Sequence, residues 1–184
     1  TALEYQGLAH YIAMGVPTVD LFKTPNVDIP KWFTNHIWPE KVRIVQCGCF
    51  SPDLPHDFGI EIQKIGNLDI KMSNRERAAI ELLYFTPRIY TFDEVPLILE
   101  SLASLRGEVL TELLMHCTSE KAKRLILYFG ENNNFYWYKR LDLSKIKIGS
   151  SLLKVVPKGG KFIKKYNMVI PQEYDLRDET EFGF

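Results

Sequence analysis

The chain has 184 residues, 46% of them hydrophobic and 12% aromatic, which suits one packed domain rather than a disordered chain. Lys plus Arg and Asp plus Glu each number 23, so overall charge points to no class of partner. No apolar run approaches the roughly 18 residues of a membrane span, and no basic and then greasy stretch opens the chain as a signal peptide would.

Residues 1–14 carry Leu3, Leu8, Tyr11 and Ile12 at helical spacing, with Gly15 a natural stop. Thr1 in place of Met, with a helix expected almost at once, reads as a fragment whose upstream part has been removed. Thr18 to Lys23 has the composition of a short strand. Pro25 and Pro30 bracket a loop, and Pro30 can open a short helix through Trp32 and Phe33. A strand is expected over Lys41 to Phe50, followed by a loop with two prolines at residues 51–57. Phe58 to Ile65 and Leu68 to Met72 read as two strands of a hairpin turning at Gly66-Asn67.

The next stretch, Met72 to Leu83, divides the chain into a strand-rich part and a helical part. Ser73 and Glu76 have the spacing of a capping box, and Ala78, Ala79, Leu82 and Leu83 then fall on one helical face. A helix over Tyr90 to Leu105 has two candidate caps. Thr91 with Glu94 also forms a capping-box pattern, but Pro96 would then cost a helical hydrogen bond, so Asp93 is the preferred cap. Gly107 separates this helix from one over Glu108 to His116. Thr118 or Ser119 caps a last helix through Phe129, which Gly130 and Asn132 to Asn134 end.

The last third changes character. Residues 139–165 hold nine basic side chains against Asp142 alone, and the stretch from 172 to 184 is acidic, with Arg177 its single base. Ser151 to Val156 and Lys161 to Ile170 are expected as strands of a hairpin around Pro157-Lys158-Gly159-Gly160. The fold class that follows is mixed α/β. A mixed sheet from roughly residues 18 to 72 packs on the helices of 75 to 130, and a C-terminal β-hairpin extends it. Residues 1–171 form the domain and residues 172–184 an acidic tail.

Few residues suggest chemistry. His10, His36, His56 and His116 are scattered, without the paired spacing of a metal site, and no nucleophile motif or phosphate loop is present. The three cysteines, an odd number, argue against a disulfide framework. Cys47 and Cys49 share one strand face, but no second Cys or His pair stands at metal-ligand spacing. Buried reduced thiols are the better reading, which favours the cytoplasm. Asp57, Glu61 and Gln63 partly match a restriction-type nuclease motif, in which two carboxylates hold Mg²⁺ and a lysine steadies the attacking water. Gln63 stands at the lysine position and Lys64 points to the opposite strand face, so no catalytic, cofactor or metal site is assigned. The basic segment, interleaved with Trp137, Tyr138, Phe162 and Tyr166, has the mixture that favours phosphate backbones and stacking. Lysines protecting a sheet edge are the alternative. The contact residues proposed for a polyanion are Lys121, Lys123, Arg124, Lys158, Lys161, Lys164 and Lys165.

The ordered set LAHY with Met14-Gly15, NRERAAIELLY, LASLRGEVLTELLMHC, SEKAKRLILYF, WYKRLDLSKIKIGSS and VVPKGGKFIKKYNMVIP spans nearly the whole chain. In this set the sequence resembles the AbiEi-type antitoxins of bacterial type IV toxin–antitoxin systems, which act in phage abortive infection. The resemblance implies a transcriptional regulator with an N-terminal winged helix for operator DNA, outside this chain, and a C-terminal α/β domain needed for antitoxicity. It also implies functional antagonism of a nucleotidyltransferase-like toxin without a stable complex, and autorepression of the operon. Operator DNA or RNA shared with the toxin is the polyanion expected at the basic segment; no membrane and no cofactor are implied. A nuclease-like domain using Asp57 and Glu61, and a dimerisation module for a regulator, are the alternatives.

Overall fold

The computed structural model describes residues 18–23, 27–102, 104–156 and 158–172. The helix expected over residues 1–14 and the acidic stretch from residue 173 onward lie outside the described residues.

Two small ribbons precede the helices. Strands β1 (Thr18–Lys23) and β2 (Lys41–Gln46) pair in parallel, in register Thr18 with Lys41. Helix α1 (Lys31–Asn35), opened by Pro30 as its N-cap, lies in the connection that a parallel pair requires. Side chains tie this ribbon to the rest. Arg43 Nη2 donates to Asp20 Oδ2 at 2.9 Å, the Tyr90 hydroxyl donates to the same oxygen at 3.0 Å, and Phe22 stacks on Phe85 with centroids 5.5 Å apart. Strands β3 (Ile60–Ile65) and β4 (Leu68–Ser73) form the expected hairpin. Gly66 supplies φ +60° at the first turn position, the geometry glycine tolerates without a Cβ clash.

The single sheet expected over residues 18–72 does not form. Among the described residues the strands fall into three separate sheets. Residues 47–49 leave β2, and Phe50 then bridges antiparallel to Cys117 instead of continuing the strand.

The core is helical. Helices α2 (Arg75–Phe85), α3 (Glu94–Ser101), α4 (Gly107–His116) and α5 (Glu120–Asn132) bury one cluster that includes Ala79, Ile80, Leu83, Leu99, Leu110, Leu113, Leu114, Leu125, Ile126 and Phe129. Two local expectations, at the start of α2 and at Gly130, are corrected. The cap of α2 is Asn74, whose Oδ1 accepts from the Arg77 N–H at 2.9 Å. Ser73 is the last residue of β4 and donates to Glu81, while Glu76 is taken by Arg106. Before α3, Asp93 stands at the cap position as expected, with Pro96 third in the helix, but its side chain makes no capping hydrogen bond. The reciprocal pair is Thr91 with Glu94: the Thr91 N–H donates to Glu94 Oε2 at 2.7 Å, and the Glu94 N–H to Thr91 Oγ1 at 3.4 Å. Gly130 does not end α5. A Cβ there would stand 2.7 Å from the Trp137 ring, so glycine serves the packing of the 3-10 turn Tyr136–Arg140 on the helix, which runs to Asn132.

The C-terminal hairpin is also rearranged. Strands β5 (Leu153–Lys154), β6 (Lys161–Ile163) and β7 (Met168–Ile170) form a three-stranded sheet in the order β5-β7-β6. The expected β5–β6 pairing is replaced by a parallel β5–β7 pair and an antiparallel β6–β7 pair. The 3-10 turn Lys164–Tyr166 and Asn167, at φ +44°, reverse the chain between β6 and β7. Asn is one of the few side chains that tolerates this left-handed position.

Candidate polyanion-binding face

The seven basic residues separate into two groups. Helix α5 begins at Ser119, whose Oγ accepts from the Ala122 N–H at 3.2 Å, and carries Glu120, Lys121, Lys123 and Arg124 in its first turns. Arg124 is fully buried. Its guanidinium donates to the carbonyl oxygens of Gly149 at 2.6 Å, Ser151 at 2.8 Å and Asn167 at 2.9 Å, and lies 3.4 Å from Glu120 Oε2. Lys123, 8% exposed, donates to the Lys147 carbonyl at 2.8 Å and pairs with Glu120 Oε1 at 2.8 Å. The expectation that Lys123 and Arg124 lie on a shared basic surface is therefore corrected. A buried cation must be paired or solvated by protein dipoles. Here Glu120 and the carbonyls of residues 147–151 do this, and the two side chains hold that segment and the turn at Asn167 against the helix.

Glu120 sits at the helix N-terminus, where the peptide dipoles favour an anion. Burial pushes its carboxyl up, but hydrogen bonds from Lys123 and the Gly149 N–H and the nearby Arg124 charge outweigh this and hold it below its ordinary value. Lys121 is half-buried, donates to the Thr86 carbonyl and lies over the Tyr84 ring. Burial, with Arg88 nearby, lowers its pKa.

The second group lies around the C-terminal sheet. Lys158, Lys164 and Lys165 are exposed, and Lys161 is partly so. Lys165 pairs with Glu131, and that hydrogen bond raises its pKa. Lys161 opens β6, whose next residue, Phe162, is 52% exposed. Alternation along β6 turns Phe162 to solvent on one face and puts Lys161 and Ile163 on the other, where Ile163 enters the core; Lys158 and Lys164 lie just before and just after the strand. Gly159 and Gly160, at φ +65° and +106°, lead the chain into this strand.

The aromatic residues interleaved with the lysines mostly serve another purpose. Trp137 and Tyr166 are buried, and Tyr138 is partly so. The Tyr166 hydroxyl donates to Glu131 Oε2 at 2.8 Å and lies 3.2 Å from the Leu127 carbonyl oxygen. Burial raises its pKa, and Tyr138 and Glu131 raise it further. Only Phe162 of the four presents its ring to solvent as a stacking surface would require. Sequence reasoning missed the inward turn of Arg124 and Lys123. The Glu120–Arg124 spacing of four was the available signal, since such pairs meet on one helical face.

The carboxylates of the nuclease alternative are engaged elsewhere. Asp57 accepts from Lys71 at 3.0 Å, and Glu61 lies 3.8 Å from Arg106 Nη2. Among the described residues, no three His, Cys, Asp or Glu side chains converge as a metal-holding group. No helix among them is long and apolar enough to cross a membrane.

The fold is thus mixed α/β, with exposed lysines around its C-terminal sheet. A family model described as transcriptional regulator, AbiEi antitoxin, type IV toxin–antitoxin system matches residues 16–171, and the chain belongs to this family. No curated protein and no solved structure matches the chain.

Proposed function

We propose that this chain is a non-enzymatic antitoxin domain that counteracts a nucleotidyltransferase-like toxin without forming a stable complex with it. With an N-terminal winged helix on operator DNA, it represses its own operon. The family match over residues 16–171 carries this reading. Within the domain, the exposed segment that carries Lys158, Lys161, Phe162, Lys164 and Lys165, with Lys121 of α5 as a further contact, meets a polyanion, either operator DNA or RNA shared with the toxin. Lys123 and Arg124 anchor residues 147–151 and the turn at Asn167 to α5. The segregation of nine bases against one acid in residues 139–165 of a neutral chain favours this over a surface that needs only solubility.

The experiment is rescue of cells from the toxin by Lys158→Glu, Lys161→Glu and Lys164→Glu combined, alongside a thermal melt and operator binding by the full-length protein. Phosphate contacts release counterions, so log affinity of the wild type falls against log salt with a slope of about one per phosphate contacted. The variant is expected to lose rescue or operator affinity while melting like the wild type. Full rescue with unchanged operator binding reduces the lysines to edge protection.

A further inference from the structure

Strand β2 ends at Gln46, and Cys47-Gly48-Cys49 leads from it toward the helical core. The Cys47 and Cys49 sulfurs lie 3.5 Å apart. Cys49 is fully buried, whereas Cys47 is half-buried and reachable by a small reagent. Gly48 between them is exposed, and a Cβ there would meet nothing within 4 Å, so the backbone has room to adjust. Cys117, the third thiol, is buried at the end of α4.

We infer that Cys47 and Cys49 form a reversible thiol–disulfide modification site, oxidised by small-molecule disulfides such as glutathione disulfide. Cys47 attacks the small disulfide and releases one thiolate, leaving a mixed disulfide on its sulfur. Cys49, giving up its proton, attacks that sulfur and expels the second thiolate, which the released protons convert to thiol. Two cysteine thiols and one small disulfide thus become one protein disulfide and two small thiols. The thiolate is the nucleophile in such exchange. The Cys49 hydrogen bond lowers the Cys47 pKa and nearby Arg77 also lowers it, while burial and Glu81 oppose them. The bond to Cys47 and burial push Cys49 up, and burial pushes Cys117 up to about 11, so the 3.5 Å separation from Cys47 and not acidity selects Cys49 as the second thiol. Bond formation draws the sulfurs from 3.5 Å to about 2.05 Å. That movement is felt at the Gly48 and Cys49 carbonyls, which accept from Thr118 Oγ1 at 3.3 Å and the Thr118 N–H at 2.8 Å. Thr118 directly precedes the Ser119 cap of α5, the helix that carries Arg124.

The test is incubation of the folded chain with glutathione disulfide, alkylation and tryptic mass mapping, with the urea-unfolded chain in parallel. Cys47 and Cys49 fall in one tryptic peptide, residues 44–64, and Cys117 in another, residues 107–121. The expected result is a loss of two hydrogen masses within peptide 44–64. It persists in Cys117→Ser, is absent in Cys49→Ser, is reversed by a dithiol reductant, and forms at a lower glutathione disulfide to glutathione ratio than in the unfolded chain. A bond linking the two peptides, a glutathione adduct alone, or equal oxidation of folded and unfolded chains overturns the inference.

Discussion

Arg106 closes a two-pronged hydrogen bond on Glu76, Nε to Oε1 at 3.0 Å and Nη2 to Oε2 at 2.9 Å, and its own backbone N–H adds a third bond to Oε1 at 2.9 Å. The contact joins α2 to the residue just before α4. Glu76 is 2% exposed. Burial raises its pKa, but the Arg106 side chain and backbone N–H hold it below its ordinary value.

Glu76→Gln is therefore expected to lower stability near neutral pH by about 2 kcal/mol, since bonds to charged groups contribute roughly 1.5–3 kcal/mol. A carboxylate with a depressed folded pKa contributes stability that is present above its unfolded value, about 4.3, and lost as pH falls through the folded value. The gap between variant and wild type should close in acid. Glu81 works in the opposite sense, because burial outweighs Arg77 and Ser73 and raises it. Urea unfolding of both proteins near neutral pH and below about pH 4 isolates the Glu76 contribution. A gap independent of pH contradicts the assignment.

Arg124→Met is expected to be among the most damaging single changes on α5. It leaves the carbonyls of Gly149 and Ser151 without the Arg124 donor, removes one of two donors to the Asn167 carbonyl, and leaves Glu120 with Lys123 alone. Breaking such a buried set costs roughly 3–5 kcal/mol. Lys164→Glu, on the exposed turn, should change stability by less than about 0.5 kcal/mol. Thermal melts of the two variants decide between an inward clamp and an outward contact. Equal melting of Arg124→Met and wild type places Arg124 on the surface.

Gly130→Ala tests whether helix propensity or packing governs α5. Propensity alone favours Ala over Gly inside a helix by about 1 kcal/mol. The added Cβ, however, would stand 2.7 Å from Trp137 Cη2 and 2.8 Å from Tyr138 Cδ2. Overpacking of this kind costs about 1–3 kcal/mol, so a net loss is expected. A raised melting temperature means that the 3-10 turn packs elsewhere.

The start of α3 offers a paired comparison. Thr91→Ala removes the hydroxyl that meets Glu94 Oε2 at 2.9 Å and should cost about 1 kcal/mol, the usual value of a cap. Asp93→Ala removes no capping bond and should cost less than about 0.5 kcal/mol. Denaturant midpoints of the two variants give the order, and a reversed order makes the Asp93 side chain the capping group.

The amino-acid sequence by itself determined the elements whose signals lie within a few residues. The spacing of Ala78, Ala79, Leu82 and Leu83 placed α2 on the core, Gly66-Asn67 placed the β3–β4 hairpin, and Ser119 was one of two candidate caps before α5. The ordered motifs also carried the family, because they need no knowledge of contacts. The tertiary structure decided everything that depends on distant partners. Arg124 turns inward because carbonyls 25 to 43 residues away meet it there. Gly130 continues its helix because Trp137 folds back on it, and β7 rather than β6 pairs with β5 because the turn at Lys164–Tyr166 reverses the chain. The lysine-rich face was legible as charge, but which lysines reach solvent was not. A side chain's environment is set by what packs across from it, whereas periodicity records only which side of its own element it occupies.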